Sequence, residues 1–126
     1  MPAPFAVCFI GHSYPIPGET FTSAGPSQAV LDVVSTVTPQ FWNLKEIALF
    51  LTTPDALNPA LGLGLYIKVA NGDWQYRGCV HGSHPSEAMP LVWPEIPEGV
   101  VQGTPGAVLI GVQRSCSCMV SDRWYL

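Results

Sequence analysis

Prolines and glycines recur along the whole chain, thirteen of one and twelve of the other, and they cut it into short apolar runs. Each interior Gly or Pro costs a helix about 1 to 3 kcal/mol, so a helix bundle is disfavoured. Short strands joined by many turns are expected instead. The runs are apolar enough to build a core. Hydrophobic residues make up 48% of the 126 residues and charged residues only 11%, which excludes intrinsic disorder, a state that needs low hydrophobicity and high charge. The length bounds one domain.

The clearest local signal is Asn71-Gly72 between two apolar runs. Leu63, Leu65, Ile67 and Val69 alternate before it, and Trp74, Tyr76, Gly78 and Val80 alternate after it against Gln75, Arg77 and Cys79. An Asn-Gly pair supports positive φ at both central positions, which predicts a tight hairpin with Trp74 on its apolar, core-facing side. Phe5 to Gly11 and Gly106 to Val112 read as buried strands, and the β-branched run Val30 to Val37 reads as another. Phe41-Trp42-Asn43 is an aromatic turn. Leu44 to Thr52 fits a helical face or a strand, and its length and the following Thr-Thr-Pro54 favour a strand. Glu87 to Trp93 is a further strand. Three stretches read as turn or loop: His12 to Pro26 with a short strand near Thr20 to Thr22, His81 to Ser86, and Pro94 to Thr104. The expected fold is all-β, a jelly-roll-like antiparallel β-sandwich in a single domain with little helix, spanning residues 5–113 and followed by a tail, 114–126.

The net charge is −4, and the five basic residues Lys45, Lys68, Arg77, Arg114 and Arg123 lie far apart. No cluster exists to follow a phosphate backbone, so nucleic acid is not an expected partner. No apolar stretch approaches the roughly 18 residues of a membrane span, and no basic residue precedes the Phe5 to Ile10 run as in a secretion signal. The four cysteines, Cys8, Cys79, Cys116 and Cys118, are few and unevenly placed for a disulfide framework. Cys8 and Cys79 sit within apolar runs, where a free thiol acts as a small hydrophobe. A reduced, cytosolic setting follows.

Candidate chemistry concentrates near the hairpin. Cys79 and His81 are two apart on a strand and share a face, with Asp73 and His84 nearby, but no oxyanion hole or third orienting residue accompanies them. His81-x-x-His84 with Cys116-Ser-Cys118 suggests zinc, although one residue between cysteines is short of the usual spacing. Neither outweighs the reading of a core cysteine beside exposed turn histidines. No catalytic set, metal site or cofactor is expected. Trp93 beside Pro94-Glu95-Ile96-Pro97 forms a rigid apolar turn, suited either to capping the open end of the sandwich or to meeting a partner.

Phe5-Ala-Val-Cys-Phe-Ile-Gly11, then Gly64-Leu-Tyr66, then Trp74-Gln-Tyr-Arg-Gly78-Cys-Val-His-Gly82-Ser-His-Pro85-Ser86, and finally Ala107 to Val112 resemble, in order, the amino-terminal domain of the Hikeshi family. The resemblance covers about residues 5 to 113. Together with the Asn71-Gly72 turn signal, these motifs give Phe5, Gly11, Asn71, Gly72, Trp74, Gly78, Gly82 and Pro85 as the expected fold-defining residues. The resemblance implies a non-enzymatic carrier that binds the ATP form of heat-shock protein 70 and phenylalanine-glycine nucleoporin repeats, moving between cytosol and nucleus, and leaves a homodimer open. Members of the family continue into a helical carboxy-terminal domain, whereas this chain stops at Leu126, as a shortened paralogue or an incomplete gene model would. The family's nucleoporin-binding phenylalanine has no counterpart in Pro94 to Thr104. Trp93, Pro94, Ile96 and Pro97 are the apolar candidates for that role. The alternative is a lectin-like module whose loop tryptophans stack on sugar rings.

Overall fold

The computed structural model describes residues 4–25, 27–38, 40–53, 61–70, 72–93 and 106–115. Its strands are β1 (Phe5–Phe9), β2 (Ile16–Pro17), β3 (Thr22–Gly25), β4 (Gln28–Asp32), β5 (Glu46–Leu51), β6 (Gly62–Val69), β7 (Gln75–His81), β8 (Ser86–Pro90) and β9 (Val108–Ser115). They form two antiparallel sheets, one ordered β2-β1-β5-β8 and the other β3-β4-β9-β6-β7. The expected all-β sandwich is the fold.

The core lies between the sheets. Phe5, Val7 and Phe9 from β1 and Ile47 and Leu49 from β5 meet Leu63, Leu65 and Ile67 from β6 and Val108, Ile110 and Val112 from β9. Alternation puts every second residue inward along each strand, and only apolar side chains are fully buried among the described residues. Fully burying one such side chain contributes about 1.5–3 kcal/mol, which is why these short strands hold together.

The expected β-branched strand from Val30 to Val37 ends early. Asp32 closes β4, and its carboxylate accepts a hydrogen bond from the Ser35 backbone N–H at 3.4 Å. That cap starts a single helical turn, α1 (Val33–Thr36), which drives Val33 and Val34 into the core. Capping outweighed β propensity here. The predicted turn at Phe41 to Asn43 is a 3-10 turn, and Leu44 to Thr52 contains β5 as expected.

The predicted hairpin is present, but its tip differs from a two-residue turn. The last paired residues are Ile67 and Gln75, and the residue with left-handed backbone is Ala70, with φ 54°, one position before Asn71. Asn71 itself lies outside the described residues. Between Leu65 and Tyr66 the register shifts, so that Leu65 faces Gly78 while Tyr66 faces Tyr76, and Arg77 is the extra residue of a bulge. A one-residue slip moves side chains to the opposite face of a sheet. Gly78 and Val80 therefore stay on the core side, as alternation predicts, whereas Tyr76 and Trp74 turn outward. Trp74 is not a core residue; it is 41% exposed.

Candidate functional site

The bulge shapes an open apolar groove. On the outer face of the five-stranded sheet, Trp74, Tyr66, Val30, Ala24, Gly111, Gln28 and Gln113 line an open groove of about 220 Å³. Gly111 leaves its floor as bare backbone, and the indole of Trp74 lies across it. Tyr66 stacks edge-on to Tyr76 with ring centroids 5.6 Å apart, and partial burial raises the Tyr66 hydroxyl pKa above its ordinary value. The Lys68 ammonium sits 5.8 Å from the Trp74 ring centroid, within cation–π range. Most of the lining is apolar, and the amides of Gln28 and Gln113 supply donors and acceptors at its edge. Such a shape admits one ring or a short apolar side chain.

Arg77 secures the bulge that aims these aromatics. Its Nη2 donates to Gln75 Oε1 at 2.9 Å and to the Val92 carbonyl at 2.7 Å, and its Nη1 donates to the Tyr76 carbonyl at 3.3 Å. The Nε–H is buried with no acceptor. Burial lowers the guanidinium pKa from its ordinary value, and a guanidinium remains charged in proteins nonetheless.

Trp93, expected at a partner surface or as a cap, is half-buried and packs on the core. Its Nε1–H donates to the Leu44 carbonyl at 2.9 Å, and its ring meets Phe41 edge-on at 5.2 Å. Pro94, Ile96 and Pro97 lie outside the described residues, as do Cys116 and Cys118.

Among the resemblance positions, Gly11 and Gly78 are constrained by local geometry. Gly11 has φ +82°, a left-handed conformation that favours glycine, in the turn where His12 and Ser13 donate back to the Phe9 carbonyl. A β-carbon at Gly78 would stand 3.0 Å from the Met89 sulfur. Phe5 packs edge-on against Phe21 at 5.2 Å. Pro85 lends its carbonyl to the Leu51 N–H at the entrance to β8, while Gly82 sits in the open turn before it.

The expected chemistry at Cys79 is altered by its bonding. Cys79 is disulfide-bonded and Cys8 is a free thiol, so Cys79 is not the reduced core cysteine expected from its apolar surroundings. It lies on the outer face opposite Gly64, and in the bonded state it has no thiolate to offer. His81 and His84 exchange backbone hydrogen bonds at 3.0 and 2.9 Å to close their turn, and His84 Nε2 lies 3.0 Å from Glu87 Oε2. Asp73 is exposed at the hairpin tip. Among the described residues, no group of three or more His, Cys, Asp or Glu is arranged to hold a metal ion. Among the same residues, no helix is long and apolar enough to cross a membrane.

Sequence reasoning missed the groove because strict alternation places Trp74 inside. No residue type marked the shift in advance, because the same alternation places Arg77 outward with Gln75 and Cys79. Compared with known proteins, the chain matches no family model and no curated protein.

Proposed function

We propose that this chain is a non-enzymatic protein-transport adaptor resembling Hikeshi, which carries ATP-form heat-shock protein 70 and takes phenylalanine rings of nucleoporin repeats in the Trp74–Gly111 groove. The observation that carries the reading is the ordered set of resemblance positions, of which Gly11 stands in left-handed backbone and Gly78 stands against Met89. The groove supports it further. Disordered repeats bind through weak, fast contacts, each supplied by one ring entering an apolar pocket. The Trp74 ring, seated on the Gly111 backbone, and the Tyr66 ring give the groove an aromatic lining that suits a single ring. Low surface charge suits passage through an apolar mesh.

Pull-down of heat-shock protein 70 with the purified chain, in ATP and in ADP, tests the carrier role. Capture is expected in ATP and reduced in ADP; equal or absent capture counts against it. Immobilised phenylalanine-glycine repeats test the groove. Trp74→Ala is expected to lower their retention at least fivefold without unfolding the protein.

A second reading is a lectin-like module, and one observation favours it: the exposed Trp74 face has the side-chain amides of Gln28 and Gln113 within the same groove. An aromatic platform flanked by amides can stack on a sugar ring and bond its hydroxyls. Titration with an oligosaccharide panel, followed by Trp74 fluorescence, separates the two, since a saturable change with sugars and none with repeat peptides selects the second reading.

A further inference from the structure

The groove that the transport reading fills with a ring is charged at one rim and neutral at the other. Lys68 follows Tyr66 by two residues on β6, so both stand on the outer face, roughly 7 Å apart along the strand. The Lys68 ammonium lies 5.8 Å from the centroid of the Trp74 ring, and that ring rests on Gly111. At the other rim, Gln28 and Gln113 face each other across β4 and β9. We infer that Lys68 sets the choice of peptide: the favoured segment carries an aromatic ring with an acidic residue one or two positions away. The inference rests on the reading of the groove as a site for repeat rings.

Lys68 is open to such a residue. Among the described residues the one ion pair is His84–Glu87, so no described carboxylate pairs with Lys68. Asp32 stands in the same cross-strand row, two strands away, and its carboxylate is turned to Ser35. Asp73, next to Trp74 in sequence, is exposed and makes no ion pair with Lys68. The cation–π contact holds the ammonium beside the ring. An extended peptide advances about 3.5 Å per residue, so a side chain one or two positions from the seated ring covers the spacing from Tyr66 to Lys68. A carboxylate there completes an ion pair, whereas an ammonium there meets a like charge. The glutamine amides at the opposite rim supply donors and acceptors for the peptide backbone, which fixes its direction.

The net charge of the chain gives the opposite expectation. At −4, the surface as a whole favours basic peptides over acidic ones. A preference for acid therefore requires a local cation at the groove, and Lys68 is the cation beside its ring. Such charges tune specificity more than total affinity.

Capped peptides of equal length test the inference, each holding one Phe-Gly pair with Glu, Gln or Lys at the flanking positions. Anisotropy of a label on the peptide reads binding. Wild-type protein at low salt is expected to bind the Glu peptide at least about fivefold more tightly than the Lys peptide, with the Gln peptide between them. In about 1 M sodium chloride, where charges are screened beyond about 3 Å, the three are expected to converge to within about twofold. At low salt, Lys68→Gln should bring the same convergence, Lys68→Glu should reverse the order, and Lys68→Arg should keep it, with far-ultraviolet spectra checking that each variant is folded. Tightest binding of the Lys peptide by wild-type protein, or equal binding of all three, overturns the inference and leaves the groove reading standing. A preference for Glu that survives in Lys68→Gln does the same. Binding of none of the three overturns both.

Discussion

The six-membered ring of Trp74 rests on the bare backbone of Gly111, reached across β6. A β-carbon at Gly111 would stand 2.9 Å from Trp74 Cζ3 and 3.2 Å from Cη2. The ring is partly exposed and free on its solvent side, so it can swing away. Gly111→Ala is expected to cost no more than about 1 kcal/mol in a urea melt and to shift Trp74 emission to the red, measured against a Trp74→Phe control. It is also expected to weaken repeat retention as Trp74→Ala does. Unchanged emission would show that the indole does not lie where the groove requires it.

Gly78 offers the opposite case. The Met89 side chain it touches is only 2% exposed and cannot leave. Gly78→Ala is expected to destabilise by about 1–3 kcal/mol through overpacking. Combining it with Met89→Ala is expected to cost less than the sum of the two single changes, because the new methyl occupies part of the vacated space, with a coupling of at least about 0.5 kcal/mol. Additive losses would refute the contact.

Trp93→Phe keeps most of the ring but removes the donor to the Leu44 carbonyl. A loss of about 1–2 kcal/mol is expected from the unpaired carbonyl, with chaperone and repeat binding unchanged. Weaker binding at unaltered stability would make Trp93 a partner anchor instead of a residue packed on the core.

Cys79→Ser is expected to lower stability by about 2–4 kcal/mol, as the loss of a loop-closing disulfide does. Wild-type protein in excess reductant should lose the same amount, and the variant should be insensitive to reductant. A variant whose midpoint still falls on adding reductant would point to a second bond.

Strand existence was legible because the apolar runs are short and punctuated. Phe5 to Gly11, Leu44 to Thr52, Leu63 to Val69 and Gly106 to Val112 all contain strands of the sandwich. The failures have local causes. At Asp32 a side-chain cap, visible only as one carboxylate three residues before Ser35, turned a β-branched run into a helical turn. At Arg77 one additional residue reversed the facing of Tyr76 and Trp74, a change that pair spacing alone does not reveal. The groove was hidden for the same reason: its walls come from β4, β6, β9 and the hairpin tip, residues that only the sheet order brings together. The bonding of Cys79 was equally hidden, since its place in an apolar run read as that of a free thiol.

The bulge also divides one hairpin into an inward-facing set of residues and an outward-facing one. Leu63, Leu65, Gly78 and Val80 meet on the interior side of the register shift, while Tyr66, Tyr76 and Trp74 share the outward side beyond it. Drift in the outward trio can retune what the molecule recognises without disturbing interior packing. Insertion or deletion of a single residue in β7 would instead exchange the two sets, so the length of this stretch matters as much as its residue types.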